Sequence, residues 1–560
     1  MILGVWDGHD AGACIVEDGK IRVAVNEERL TRKKLDIRFP VNSISACLEY
    51  MKAKPGDIED IACCSSQLTR VLARSFPSLD RNFYNFRRRM ITKPRFEKRR
   101  RLLKYRMAEA KPRKLLGKIT KRQLRKKLGK CGFSNYRLHV VDHHDAHAAS
   151  AALCSGFSKA LCITLDGVGD GLSGTVNIFN NGEMERLSSM SGRDSIGMLY
   201  EQVTTLLGMR ELEDEGKTMC IADYSSVPDE KNKMLDFFSV DGLKIKSRHS
   251  TTKRFTELEK ILWNTRKENF AYMAQRVLEK VMLELFRNAI EQTGIKNICW
   301  SGGVASNIKA NRIVRLESGL SDWFVFPHMG DGGLAVGSAL FADNKLKGSR
   351  GYKLDNAYLG MEFSDNYIEN ELKKYGLKYE YRKDAAKLAG DYISDGNYLF
   401  WYQGRMELGP RALGNRSIIA PSSSLEIKNR LNINVKKRDW FQPFCPSLIE
   451  EDAESVFEDY DKADRFMTMG FMTRKSVRSK VKSVIHVDGS SRPQMVGKEN
   501  EKYWELIRHV KRNTGLGVIL NTSFNIHGEP IVCTPKDALS TMVRTKTHYM
   551  ILGNYLVELA

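Results

Sequence analysis

The chain has 560 residues, 42% of them hydrophobic, with a formal net charge of +22. That length exceeds what one growing core supports, so at least two domains are expected. No apolar run is long enough to span a bilayer, MILGVW reads directly as a strand with no basic leader, and the eleven scattered cysteines never form CxxC. A membrane span, a signal peptide and a disulfide framework are therefore not expected, and a reducing cytoplasm fits best.

Residues 2–6 (ILGVW) read as a strand, followed by DGHDAG, a second strand at ACIVE, an Asp18-Gly19 turn and a third at IRVAVN. A helix is expected over 42–53 and a strand over 60–64. Between Arg81 and Lys130 there are 22 Lys or Arg and two acids, Glu97 and Glu109, a local excess of 20 that accounts for nearly all of the net charge. This segment reads as a basic insertion of short helices, interrupted near Pro94 and Pro112. A solvated helical arm is its plainest account, and an RNA, protein or acidic-lipid contact is the alternative.

RLHVVD (137–142) predicts a strand leading into a helix that begins around His144. The grammar of the N-terminus then returns: strand LCITLD (161–166), polar glycine turn GVGDGLSG, strand TVNIF, an Asn-Asn-Gly turn and strand EMERLSSM. An internal duplication follows from this order, with two ordinary hairpins as the plainer reading. Helices are expected over 193–207 and 257–292, and strands at IKNICW (295–300) and VFP (325–327). Periodicity is lost around 341–356, where a domain boundary is placed. The second domain is expected to hold helices at 360–374 and 384–395 and strands at 398–403 and 517–521. The alternation argues for α/β architecture.

Three turns can present backbone N–H groups to phosphate: GVGDG (Asp166, Gly169, Asp170, Gly171), SGGVASN (Gly302, Gly303, Asn307) and GDGG (Gly330, Gly332). There is no Walker loop, and no GxGxxG opens a helix, so a nucleotide held between two lobes fits better than a Walker or Rossmann site. His143 and His147 lie four apart on the expected helix and could share a metal ion, with Asp331 as a third ligand and Fe, Mn or Zn all allowed. Two polar residues at a strand-to-helix junction are the alternative.

In order along the chain, DGHDAG (7–12), NEER (26–29), HHDAH (143–147), DGVGDG (166–171), SGGVASN (301–307), GDGG (330–333), ELGPRALGNRS (407–417), KKRDWFQPF (436–444), DGSSRPQ (488–494) and NTSFNIHGEP (521–530) resemble the carbamoyltransferase family of nodulation-factor and antibiotic O-carbamoyltransferases. The N-terminal part is also similar to the universal tRNA threonylcarbamoyl-transfer component, and the C-terminal part to threonylcarbamoyl-adenylate synthases. The resemblance implies a duplicated ribonuclease-H-like, actin-like domain over 1–350, carrying the insertion at about 81–130, and a smaller α/β domain over 351–560. It implies that the second domain joins carbamoyl phosphate to the AMP part of ATP, and that the first transfers the carbamoyl group to a hydroxyl acceptor. A metal, preferably Fe(II), is then expected on His143, His147 and Asp331, with Mg2+ allowed beside ATP.

Within that frame His9 is the candidate general base, with Asp7 or Asp10 orienting it or touching the metal. Arg411, Arg416, Lys436, Lys437, Arg438 and Arg492 are candidates for the phosphates, and Asn521, Ser523 and Asn525 for carbonyl or ribose groups. The acceptor is expected to be a small, sugar-like hydroxyl compound, and a homodimer is kept open. The insertion departs from the family pattern and puts that acceptor in doubt. An RNA-modifying acyltransferase and a non-catalytic nucleotide-binding module are the other readings.

Overall fold

A computed structural model describes residues 1–88, 97–110 and 114–559. Pro94 and Pro112, the expected helix breaks of the insertion, lie outside the described residues. The chain divides into two compact units, one of Met1–Glu27 with Leu35–Leu354, the other of Glu28–Lys34 with Asp355–Ala560. The unit boundary cuts the NEER motif: Asn26 and Glu27 stay with the first unit, while Glu28–Lys34 belongs with the C-terminal unit although in sequence it interrupts the first.

The first unit holds β1 (Ile2–Trp6), β2 (Gly12–Glu17), β3 (Lys20–Asn26), β4 (Asp60–Cys64) and β5 (Arg137–Val141) in the order β3-β2-β1-β4-β5. A second sheet uses β6 (Lys159–Gly169), β7 (Leu172–Asn180), β8 (Glu183–Ser191), β9 (Asn297–Ser301) and β10 (Asp322–Val325) in the order β8-β7-β6-β9-β10. In both sheets the first three strands form an antiparallel meander, and the last two join parallel to the first. Apolar runs such as ILGVW and LCITL are buried throughout, as strands covered on both faces require.

The helices are α1 (Leu68–Ser75), α2 (Pro77–Arg87), α3 (Glu97–Ala108), α4 (Lys114–Gly129), α5 (His143–Ala152), α6 (Ile196–Leu206) and α7 (Leu334–Lys347), with others between them. Helix α5 follows β5, and α7 follows β10 after a short polar turn. Gly337 lets these two helices approach: a Cβ there would come within 1.9 Å of the Ala146 carbonyl oxygen. Three expectations need correction. The pattern over 257–292 is two helices, Thr251–Trp263 and Lys267–Thr293, broken at Asn264. The strand expected at VFP ends at Val325. Helix α7 continues to Lys347: it is buried nearly all round as far as Asp343 and ends in an exposed turn, Lys345–Lys347, so neither part shows an amphipathic period.

The insertion is anchored rather than freely solvated. Tyr105 of α3 is buried with Met198 of α6 and Phe255. Arg101 and Lys104 face Glu211, the latter at 3.3 Å, and Arg88 pairs with Glu213. On α4, Leu124 and Leu128 point inward while Lys118, Lys121, Arg122, Arg125 and Lys126 are exposed.

The second unit is built on an eight-stranded sheet ordered 378–381, 555–558, 549–552, 399–402, 416–421, 518–523, 445–449 and 494–496. Trp401, Ile419, Ile519 and Ile551 of this sheet pack against Ala389, Ile393, Leu506, Ile507 and Val510 of helices Ala385–Ser394 and Glu501–Thr514. No helix among the described residues is long and apolar enough to cross a membrane.

Candidate functional site

In the first unit the chemistry gathers at the carboxyl ends of equivalent strands. His9 follows β1 and Asp166 lies toward the end of β6; His143 and His147 follow β5, and Asp331 follows β10. Helix α5 starts at His143 because Asp142 caps it, accepting from the amides of His144 and Asp145 at 3.0 and 3.4 Å. Such a cap stabilises by about 1 kcal/mol, and the four-residue spacing, close to one turn of about 3.6 residues, sets both imidazoles on one face.

His143 Nε2 lies 3.2 Å from His147 Nε2, 3.1 Å from Asp166 Oδ2 and 3.6 Å from Asp331 Oδ1. His147 Nε2 lies 3.6 Å from Asp331 Oδ1 and 3.9 Å from Asp166 Oδ2. All four side chains are buried, and their ligand atoms fall within 4.8 Å of one another. Ligands about 2.1 Å from a tetrahedral ion stand about 3.4 Å apart, so the cluster fits a divalent ion with two imidazole nitrogens and two carboxylate oxygens. Burial and the charge of Asp331 push Asp166 up, but the histidines facing it hold it below the usual carboxylate range. Burial would likewise raise Asp331, and His9 and His143 hold it well below. His147 Nδ1 is 3.3 Å from Ser301 Oγ, which orients the ring from behind. Cys64 neighbours His143, yet burial pushes its thiol up to about 12, so it offers no thiolate.

His9 stands beside this cluster. Its Nε2 is 3.0 Å from Asp331 Oδ2, and its Nδ1 is 3.8 Å from Asp10 Oδ2. Burial lowers the imidazole, but the Asp331 carboxylate outweighs it and raises the ring to about 9. Asp7 takes no part in this arrangement. Arg74 grips both of its oxygens at 2.9 Å, and burial is overcome by Arg74 and Arg70, which hold the acid far below its usual range. Asp7 is a buried anchor for α1, so the orienting role expected of it falls to Asp331.

The glycine turns divide by role. Gly169 makes room for His143, since a Cβ would come within 2.1 Å of its ring. Gly302 has φ +100, and its Cβ would meet the Leu165 carbonyl oxygen at 2.1 Å; Gly303 N donates to Asp166 Oδ1 at 2.7 Å. Gly332 backs onto His328, whereas Gly330 would meet nothing within 4 Å. Gly171 turns the β6–β7 connection with φ +80. Asp170 and Asn307, expected at a nucleotide, are occupied as caps. Asp170 accepts from the His143 amide at 3.0 Å and from Ser65 Oγ at 2.8 Å, and Asn307 caps the helix at Ile308 by accepting from Ala310 N at 3.0 Å.

In the second unit Lys436 is fully enclosed. Its Nζ donates to Ser523 O at 2.6 Å, Ser523 Oγ at 3.0 Å, Asn525 O at 3.0 Å and Asn525 Oδ1 at 2.5 Å. Burial, with Arg438 and Lys34 nearby, drives its pKa well below the lysine range. Arg438 donates to Asn432 Oδ1 at 2.7 Å and lies over the Phe444 ring. Segment Glu28–Lys34 contributes here: Arg29 reaches the Gly409 carbonyl at 2.6 Å, and Arg32 those of Ile531 and Pro530 at 2.7 and 2.9 Å.

Two other expected ligands, Arg416 for the phosphates and Asn521 for carbonyl or ribose groups, are engaged within the fold. Arg416 is fully buried, its Nη1 and Nη2 groups spent on the carbonyls of Gln403, Asn415, Gly404 and Met361 and its plane stacked on Tyr402, so it supports the loop instead. Asn521 ties strands together through Ser447 Oγ, Gln494 Oε1 and Ala412 O at 2.9 to 3.2 Å. Arg492 is half-buried against Cys445 Sγ, Arg411 is half-buried, and Lys437 is an exposed helix cap with φ +49.

Residues 1–340 match the family model Carbamoyltransferase N-terminus, and residues 390–559 match Carbamoyltransferase C-terminus. The chain belongs to the carbamoyltransferase family and is an enzyme of that class. The nodulation protein NolNO of Sinorhizobium fredii is 34% identical over 98% of this chain and 79% of its own length. An uncharacterized protein of Methanocaldococcus jannaschii, MJ1051, is 32% identical over 100% of this chain and 99% of its own. A solved structure of full-length HypF in a phosphate- and nucleotide-bound form covers 62% of this carbamoyltransferase and 56% of its own chain at 12% identity. Its TM-score is 0.34, too low to carry an argument.

Sequence reasoning counted Asp166 among residues able to organise nucleotide and metal but did not single it out as a fourth ligand beside His143, His147 and Asp331, because its DGVGDG setting reads as a phosphate turn. It also missed Glu407, whose Oε1 accepts the amides of Leu413, Asn415 and Arg416 at 2.8 to 3.0 Å and shapes the ELGPRALGNRS loop.

Proposed function

We propose that this carbamoyltransferase forms carbamoyl-adenylate from carbamoyl phosphate and ATP in its second unit, and transfers the carbamoyl group to a small hydroxyl acceptor in its first. The observation that carries the transfer step is His9 held on Asp331 beside the buried four-residue cluster. The repeated strand order of the two sheets supports a duplicated ribonuclease-H-like, actin-like first unit, and we read the second as adenylate-synthase-like.

His143, His147, Asp166 and Asp331 would hold a divalent ion, which we read as Fe(II), and it would supply Lewis-acid polarisation of the carbamoyl carbonyl. Asp331 fixes the His9 tautomer by accepting from Nε2–H; because the same carboxylate raises the ring to about 9, Nδ1 takes the acceptor's hydroxyl proton only from the deprotonated imidazole, whose share grows as pH rises toward 9. The hydroxyl oxygen then bonds to the carbamoyl carbon, the bond from that carbon to the phosphate oxygen breaks, and AMP departs with the electron pair. In the second unit Arg438 supplies positive charge toward the phosphates, with Mg2+ beside ATP, while the enclosed Lys436 ties Ser523 and Asn525 together behind it.

The RNA-directed reading retains the exposed basic face of α4, but Arg88, Arg101 and Lys104 are committed to internal carboxylates. The test is pyrophosphate release from ATP with no acceptor present. Release that depends on carbamoyl phosphate, with carbamoyl-adenylate identified by mass spectrometry, is expected; its absence in folded, metal-loaded enzyme overturns the donor chemistry.

A further inference from the structure

The insertion supplies one residue that the two-step reaction leaves unexplained. Arg87, at the end of α2, is 3% exposed. Its Nη2 donates to the Leu35 carbonyl at 3.1 Å, while Nε and Nη1 are buried with no hydrogen-bond partner among the described residues. A guanidinium carries five donors in a planar fork, and burying them unmatched is unfavourable unless something arrives to accept them.

The position of this arginine is informative. Asp36, next to Leu35, accepts the Ala11 amide at 3.2 Å, which ties Arg87 to the loop bearing His9 and Asp10. Asp10 is foremost among the charges acting on Arg87, followed by Glu213 and Glu211. Both glutamates already have cations: Arg88 on Glu213, and Arg101 with Lys104 on Glu211. Lys104 also stands 3.7 Å from Glu201. The insertion thus neutralises these carboxylates, of which Glu201 interacts with His9, and leaves one enclosed arginine with open donors.

We propose that the carbamoyl acceptor bears an anionic oxygen group, a phosphate monoester or a carboxylate, that docks on Arg87 beside the His9 loop. Such a group would take Nε and Nη1 as paired donors, which lysine cannot reproduce. This rests on the transfer reading above. It narrows the acceptor from any hydroxyl compound to an anionic one, and favours a small acceptor because Arg87 is enclosed.

The test is calorimetric titration of methyl phosphate, and separately acetate, into the full-length enzyme saturated with AMP and pyrophosphate, so that nucleotide and donor phosphate subsites are filled. Wild type is expected to bind one equivalent of one of these anions. Arg87→Gln should weaken that binding roughly tenfold or more, and Arg87→Lys by less, with thermal unfolding confirming that both variants fold. The tighter anion tells phosphate from carboxylate. No binding to wild type under these conditions, or equal binding in wild type and Arg87→Gln, overturns the proposal. Carbamoyl-phosphate-dependent pyrophosphate release by the wild type reads the underlying donor chemistry separately.

Discussion

His9 and Asp331 form a directed pair: His9 Nε2 lies 3.0 Å from Asp331 Oδ2, while the other oxygen of the same carboxylate faces both cluster histidines at 3.6 Å. One carboxylate therefore sets the orientation of the proposed base and helps to enclose the ion site. Asp331→Asn keeps the shape and removes the charge. It should lower acceptor-dependent carbamoyl transfer by about a hundredfold or more, in line with losses of orienting carboxylates and ligands. Acceptor-independent pyrophosphate release should change far less, and comparing the two rates checks this.

Asp166 should behave as a metal ligand rather than a nucleotide ligand. Asp166→Asn and His147→Ala are both expected to lower metal content about tenfold or more, whereas Asp170→Asn should retain it. Elemental analysis of purified proteins decides, and unchanged occupancy in Asp166→Asn removes that residue from the cluster.

Gly169→Ala tests the packing behind His143. The added Cβ would lie 2.1 Å from the imidazole, so ring or hairpin must shift. The expected cost is about 1–3 kcal/mol, typical of overpacking, seen as a lower unfolding midpoint together with reduced metal binding. Gly330→Ala, where a Cβ meets nothing within 4 Å, should leave the midpoint within experimental scatter.

The two arginines of the second unit should separate cleanly. Arg416→Ala leaves carbonyls unpaired in a closed interior and is expected to destabilise by about 3–5 kcal/mol. Arg438→Ala should leave the unfolding midpoint within a few degrees but lower pyrophosphate release by at least about tenfold. If Arg416→Ala folds normally and loses only activity, its buried role is refuted.

Glu215 provides a pH signature. Burial raises its carboxyl to about 8, although its own amide and that of Leu212 oppose the rise. Because the folded value exceeds the unfolded one, the stability it contributes is present in full below the unfolded value and is lost as pH rises through 8. Glu215→Gln mimics the protonated form. Its unfolding midpoint should match wild type near pH 4.5 and exceed it by a growing margin up to pH 8, levelling off above, as urea titrations at successive pH values would show. Parallel curves for the two proteins would reject the assignment.

The sequence by itself determined the local elements whose signals are contiguous. ILGVW and LCITL are apolar runs closed by polar turns, RLHVVD is a strand that runs into a helix, and the four-residue spacing puts His143 and His147 on one face. The ordered motifs were enough to mark the family. What required the tertiary structure was the partnership of side chains remote in the chain. DGHDAG offers two aspartates with equal claims, and only packing assigned Asp7 to Arg74 and left Asp10 by His9. DGVGDG likewise offers two, of which Asp166 turns to the histidines and Asp170 to the cap of α5. Arg416 and Arg438 look alike in sequence, and each lies over a ring, yet one is fully enclosed with its Nη groups on backbone carbonyls and the other is only half-buried. Periodicity and turn chemistry are short-range, whereas a charge's partner depends on which distant strand ends the sheets bring together, and no local pattern encodes that.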